Sequence, residues 1–408
     1  MHYLFRPLTF KYSSFKSLTF KSLTKVTIAT SLSLALAACG GGGSGGSSTP
    51  VVPPIVVDPV PSGTLEDQFA LYLADLTDGN IIPRYTAMQV EAQTLKNSTD
   101  VFCALPAATR ADLVTLQQNW QGVNDAWQQI QWLKVGAVVE NDRLLRMQLW
   151  PDDNDAVGRG VADLVAEQFV VTAEYVSGQN LGAQGLPALE YLLFPEVASD
   201  SLLTANDREK RCEVSSAIAQ NVLNMSTAIA TDWQTTGGNY RAEFVGGTGD
   251  FTSIQNAVEE LTTNWLQHIE IVEDTKLNEV LGDATPGNAR NAEHYLSDTS
   301  LISIGNNIQT FLSIYTNEEG VGFDSILVDF LEQVSINTEI TTSLTDVNTQ
   351  IEQINQDFDS YETMLADSSG REALTNLVTE MRVLIDLIDM SFTQALDLNL
   401  GFNSTDGD

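Results

Sequence analysis

Histidine is almost absent from this chain: it occurs three times in 408 residues, as His2, His268 and His294. No HExxH zinc helix occurs, and a histidine-rich metal site cannot be assembled. Basic residues are also scarce, 20 Lys and Arg against 54 Asp and Glu, a net charge of −34. A polyanion repels phosphates, so nucleic acid is excluded as a partner, and docking of the body on an anionic lipid surface is disfavoured. Neither a GxSxG nucleophile turn nor a Gly-Lys-Ser/Thr phosphate loop is present. No apolar run is long enough to span a bilayer, and long alternating strand patterns are missing.

What is present begins with a leader. Arg6, Lys11, Lys16, Lys21 and Lys25 form a basic segment without acids, and the short apolar stretch Val26–Ala38 runs into Leu36-Ala37-Ala38-Cys39. Residues 1–38 have the layout of a secretory signal. Leu-Ala-Ala-Cys is also the lipobox pattern of bacterial lipoproteins, which makes Cys39 the lipidated N-terminus. Residues 39–63 continue as a Gly/Ser tether and a stiffer proline-rich segment, a leash for a body held off a membrane through acyl chains. Gly40 stands where an aspartate commonly signals inner-membrane retention, so a periplasm-facing or surface lipoprotein of the outer membrane is favoured. Loss of the signal leaves fifteen basic residues against 54 acidic ones, a net charge of −39. That charge is a solvated surface or, in a sharper reading, a field that draws a hard cation. With Cys39 lipidated, Cys103 and Cys212 remain, and an oxidising compartment favours a disulfide between them.

From Leu65 onward the periodicity is helical. Leu65, Phe69, Leu73 and Leu76 mark a helix that breaks at Asp78-Gly79-Asn80. Pro83 opens a second, to about Cys103, and Leu113, Leu116, Trp120, Val123, Trp127 and Ile130 mark a third. A short helix over 144–150 stops at Pro151, and further helices are predicted over 159–178, 187–194 and 207–233. The glycine-rich QTTGGNYRAEFVGGTGD marks a boundary. Beyond it, stripes over 254–272, 301–315, 324–340, 343–366 and 374–392 repeat the style. The fold class expected is all-α, with two tandem helical-bundle domains, 64–235 and 250–408. The large Trp and Met stripes are core.

One carboxyl group stands out. In GLPALEYLLF, from Gly185 to Phe194, Glu190 falls between Leu186 and Phe194 on the most apolar face of a helix whose first turn holds Pro187. A buried acid there needs a partner, a proton or a ligand; Arg211 and Arg143 are candidate partners in a purely structural reading. PDDNDAVGRG fails the EF-hand spacing and reads as a solvated turn. His268 lies on the Trp265/Ile269 stripe as a satisfied buried histidine. His294 follows Glu293 in the polar stretch AEHYLSDTSLISIGNNI, where Asp298, Thr299 or Ser300 can cap a helix.

GLPALEYLLF resembles the hallmark of the imelysin family, the insulin-cleaving membrane protease group, whose motif is Gly-x-His-x-x-Glu before an apolar run. LVTLQQNWQGVNDAW, LWPD, Arg211-Cys212, DTKLNEVLG, AEHYLSDTSLISIGNNI and LGFNSTDGD are similar to imelysin-like segments in the expected order, so the resemblance spans about Leu65 to Asp408. It implies a bacterial periplasmic or surface-anchored protein of two helical bundles, with the motif near the groove between them. It implies a metallopeptidase by ancestry, and relatives in iron-uptake or iron-regulated systems. Gly185 and Glu190 match the motif, but Pro187 occupies the histidine position and offers neither lone pair nor N–H. A His-x-x-Glu pair on one helix face can share a metal; here that dyad is broken.

Three functions follow as expectations. The first is a lipid-anchored, non-catalytic binding protein linked to uptake of iron or another hard cation, with Glu190 as a metal ligand. The second is a metal-dependent peptidase of the imelysin type, disfavoured by Pro187; the third is a structural or interaction lipoprotein. Binding residues expected are Gly185, Pro187 and Glu190, joined on the resemblance by Glu293, Ser297, Ser300, Arg143, Trp150 and Asp152. Partners expected are a small ligand, a cation or a cell-envelope protein.

Overall fold

Helix follows helix from Leu65 onward in the computed structural model, which describes residues 63–197, 200–318 and 320–401. The leader, Cys39, the leash up to residue 62 and the end of LGFNSTDGD lie outside the described residues. Helix α1 (Leu65–Leu76) opens on a capping box in which Asp67 N–H donates to Thr64 Oγ1 and Thr64 N–H donates to Asp67. The expected break at Asp78-Gly79-Asn80 does not occur. Thr77–Ile81 form a π-helical turn, and α2 (Ile82–Ala104) continues without leaving helical backbone. Pro83 has no N–H to give, and the wide turn just before it absorbs the missing bond.

Thr109 caps α3 (Arg110–Gln128) with a second capping box. The short α4 (Arg143–Met147), α5 (Ala156–Ala166), α6 (Ala173–Ser177) and α7 (Gly185–Leu193) lead to the long α8 (Arg208–Trp233). The single helix predicted over 159–178 is thus two. The β-branched run Val170-Val171-Thr172 disfavours helix, and the Thr172 side chain instead accepts from Tyr175 N–H to start α6.

The second half holds α9 (Tyr240–Gly246) and α10 (Ile254–Glu270), which runs through a π-helical stretch, Ile271–Asn278, into α11 (Glu279–Leu281). Then come α12 (Ser300–Thr316), α13 (Phe323–Ser325), α14 (Val334–Asp357), α15 (Tyr361–Ala366), α16 (Ser368–Asp386) and α17 (Thr393–Ala395). The break expected near residue 341 lies at 331–333, where Glu332 takes a left-handed conformation (φ 57°). Among the described residues there is no strand, and no helix is long and apolar enough to cross a membrane.

In the first half α2 packs against α3 and α8, and α7 lies against both α3 and α8. The Cys103–Cys212 disulfide joins the end of α2 to the start of α8 with its Cα atoms 5.4 Å apart, as the cysteine count predicts. In the second half α14 packs between α12 and α16. Helix α1, first in sequence, lies with the second half: its Tyr72 ring packs, tilted, with its centroid 4.0 Å from that of Phe323, and the Tyr72 hydroxyl donates to Ile314 O at 3.0 Å. Helices α3 and α12 then meet across the seam, where Asn124 Nδ2 donates to Ser303 Oγ at 3.0 Å. One contiguous apolar core includes side chains from both halves.

Candidate functional site

Glycine at 185 is set by geometry. Its φ is +73°, and a Cβ there would lie 2.2 Å from Arg146 O and 2.4 Å from Met147 O. Only glycine lets α7 start this close to α4. The helix begins at Gly185, two residues before the predicted start, and Pro187 sits inside the first turn, where no N–H is required. Trp120 Nε1–H of α3 donates to Leu186 O at 3.1 Å, which satisfies one carbonyl of that turn and fixes α7 against α3.

That placement buries Glu190 to 5% exposure. Neither arginine considered as its partner reaches it: Arg211 pairs with Asp207 and Asp200, and Arg143 with Glu140 and Ala137 O. Its partners come instead from the loop before α12. Ser297 donates twice to Glu190 Oε1, through its backbone N–H at 2.9 Å and its hydroxyl at 2.7 Å. His294 Nδ1 lies 3.5 Å from Glu190 Oε2. The loop manages this with two left-handed residues, His294 (φ 61°) and Asp298 (φ 58°), residue types that tolerate this region better than most. The Ser300 hydroxyl closes the loop by donating to Glu293 O.

The polar chain continues inward. Glu293 and Lys276, each 3% exposed, form an ion pair at 2.6 Å. Lys276 Nζ also donates to Gln128 Oε1 at 2.9 Å and Asn307 Oδ1 at 2.8 Å. Gln128 Oε1 receives Asn307 Nδ2 as well, which orients the amide so that its Nε2 faces His294 Nε2 at 3.2 Å. In the neutral ring this makes Nε2 the acceptor and puts the proton on Nδ1, toward Glu190.

Electrostatics follow the same chain. For His294, burial lowers the pKa, but the carboxyl groups of Glu293 and Glu190 outweigh it and hold the value above the ordinary imidazole range. Burial raises Glu293, yet Lys276 and His294 more than offset that and its pKa lies below the usual value. Burial dominates at Lys276 and lowers its pKa despite Glu293.

The remaining expected residues lie apart from Glu190. Asp152 accepts from the N–H groups of Ala156 and Val157 at 2.7 and 2.8 Å, so it caps α5. Arg143 lines an open polar cavity of about 730 Å³. Trp150 lines a smaller one, beside Lys276 and Glu293. Lys276, Gln128 and Asn307 were not singled out from sequence, although two had a signal: Lys276 falls seven residues after Ile269 and four after Val272, and Asn307 between Ile304 and Phe311 on one stripe.

The donor set fits an internal ion-pair chain and not a metal ion. Ser297 and His294 occupy Glu190, Lys276 holds Glu293, and among the described residues no group of three or more His, Cys, Asp or Glu could hold a metal.

A family model for imelysin matches residues 81–388. Among solved structures, the chain is similar to an imelysin-like protein from Psychrobacter arcticum 273-4, with a TM-score of 0.70 and 20% identity over 85% of this chain and 100% of that one. It is also similar to a protein from Parabacteroides distasonis ATCC 8503 named as a candidate iron-regulated protein A precursor, with a TM-score of 0.62 and 16% identity over 81% of this chain and 97% of that one. At these identities the likeness shows the fold. No curated protein matches the chain.

Two predictions follow from the ion-pair chain. Lys276→Met leaves Glu293 buried without its cation and should cost about 3–5 kcal/mol in urea unfolding, with much of the loss recovered in Lys276→Met/Glu293→Leu. A loss below about 0.5 kcal/mol would show the pair to be unimportant. Because the folded pKa of His294 is raised, its stabilisation is complete below the ordinary imidazole pKa and is lost as pH rises through the raised value. The stability margin of the native chain over His294→Gln should therefore be largest below the ordinary imidazole pKa and shrink as the pH rises above it; a margin that grows with pH contradicts the assignment.

Proposed function

We propose, for a chain that belongs to the imelysin family, that it works as a non-catalytic binding protein of the bacterial cell envelope, anchored through Cys39 in the outer membrane and tied to uptake of iron or another cation. The observation that carries the non-catalytic part is the engagement of Glu190 by Ser297 and His294. A metallopeptidase needs a metal with an open position for water and a base within reach. Pro187 stands at the motif position that would supply a histidine ligand, and the carboxyl group three residues on is already bonded from the other half of the chain. In this reading Glu190 is a positioning residue that locks the loop before α12 onto α7.

The link to iron is supported by the name of the Parabacteroides neighbour and by the strongly acidic composition, which concentrates cations at the surface. The envelope location is supported by the leader, the lipobox and the leash in the sequence.

The test uses the mature chain. Incubation with casein, with and without added Zn(II) or Fe(II), should give no cleavage. Cleavage abolished by EDTA and by Glu190→Gln would overturn the non-catalytic reading. At least one of Fe(III), Fe(II), Zn(II), Ca(II) and haem should raise the melting temperature. No shift with any of them, and no metal in the purified protein, would overturn the cation link.

A further inference from the structure

The groove of about 730 Å³ that Arg143 lines runs between α2 and α8, away from Glu190 and its partners. Gln220, Asn224, Thr227 and Thr231 recur at four- and three-residue spacing on one face of α8, about 16 Å from first to last, and Gln89 and Gln93 border the groove from α2. The apolar side chains in the lining are Ala137, Leu223 and Ala228, and no aromatic ring is among them. Small-molecule pockets are ordinarily apolar with a few polar groups. This one inverts that proportion, so its ligand must carry hydrogen-bonding groups along its length.

The polar groups are accessible and only partly engaged. Gln93, Asn224 and Thr231 are exposed. Gln220 Nε2 donates to Asn224 Oδ1 at 2.9 Å, and Gln89 Nε2 donates to Thr227 Oγ1 at 3.4 Å. That leaves Gln220 Oε1, Gln89 Oε1 and the Asn224 amide N–H groups without a partner among the described residues, and neither oxygen is sealed in the core. At the C-terminal end of α8, Arg143 Nη1 donates to Ala137 O at 2.6 Å and to Glu140 at 3.1 Å, and the Nε/Nη2 edge of the guanidinium stays free among the described residues. Asp232 Oδ2 accepts from Ala137 N–H at 3.3 Å. A Cβ at position 238 would lie 2.0 Å from Asp232 Oδ1, so glycine there leaves that oxygen uncovered. Between Glu140 and Arg143 the chain passes through two consecutive left-handed residues, Asn141 (φ 52°) and Asp142 (φ 57°). Such backbone is costly and clusters at ligand sites.

Charge and shape narrow the ligand. Glu140 pairs with Arg143, which leaves Asp232 as the one unpaired charge of the lining. Burial, with Glu140 and Asp250 adding to it, holds the Asp232 carboxyl above its usual value against the pull of Ala137 N–H and Arg143. The same carboxyl groups repel an anionic ligand. An extended peptide is recognised by a sheet edge with side-chain pockets, and there is no strand among the described residues. A flat base needs an aromatic side chain to stack on, and the groove has none. Carboxamide, carboxylate and guanidinium groups are planar and present paired donors and acceptors. They complement adjacent hydroxyls on a sugar ring, each of which both donates and accepts.

We propose that this groove binds a neutral oligosaccharide lengthwise along α8, the carboxamides of Gln89, Gln93, Gln220 and Asn224 meeting successive hydroxyls, with Asp232 and Arg143 gripping the ring at the end of the helix. The proposal goes beyond the cation reading and does not rest on it.

Maltohexaose, cellohexaose and chitohexaose are the probes, each titrated into the mature chain by calorimetry. At least one should bind with a dissociation constant of about 1 mM or tighter. Asn224→Trp and Gln93→Trp place an indole in the groove from exposed positions on opposite walls. Each should weaken that binding about tenfold or more, and either suffices if the other does not fold. Binding by none of the three overturns the proposal, and so does binding that both variants leave unchanged. Tighter binding of a galacturonic acid hexamer also overturns it, since the ligand would then be an anion. None of these results touches the casein and cation assays, so the two readings stand or fall separately.

Discussion

A carboxyl group buried in an apolar helix must find donors, and the seam of this protein is arranged around where Glu190 finds them. Ser297 supplies an N–H and a hydroxyl to one oxygen, and His294 faces the other. Those contacts require the loop before α12 to turn inward through two left-handed residues. Turned inward, the loop also delivers Glu293 to Lys276, and Lys276 in turn gathers Gln128 from α3 and Asn307 from α12. Take away the first contact and each later one loses its geometric support.

Such a chain contributes alignment more than net stability. A buried ion pair roughly offsets its own desolvation, but leaving one member alone is costly. The polar groups therefore fix a register between α3, α7 and α12 that a purely apolar seam would leave loose. The same arrangement provides for Glu190 from outside its own helix. Proline at 187 starts the helix, and the imidazole facing Glu190 arrives from residue 294 instead.

Much of this was legible in the sequence, at the level of elements. The apolar stripes located the long helices α3, α8, α10, α12 and α16 to within a few residues, because a 3.6-residue period sustained over four turns has no competing reading. Breaks were less legible. Asp78-Gly79-Asn80 looks like a stop, but a π-helical turn carries the helix through it, with Leu76 before it and Ile81 and Tyr85 at its end and beyond all buried in the core. Position 190 was recognisably a buried acid, but its partner lies 107 residues away at Ser297, and no local spacing encodes that. Arginine was the natural candidate by charge; a serine and a histidine serve because the loop brings a backbone N–H with them. Lysine at 276 sits on the apolar stripe in plain view, yet its meaning depends on Glu293, Gln128 and Asn307 meeting it in space.

The central claim is that Glu190 and His294 are coupled to each other and not through a metal. A double-mutant cycle of Glu190→Gln and His294→Gln, read by urea unfolding at pH 6 with and without EDTA, tests it most directly. The account predicts a coupling energy of about 1 kcal/mol or more, the same in both conditions. Losses that add to within about 0.3–0.5 kcal/mol, or a coupling that disappears in EDTA, would contradict it.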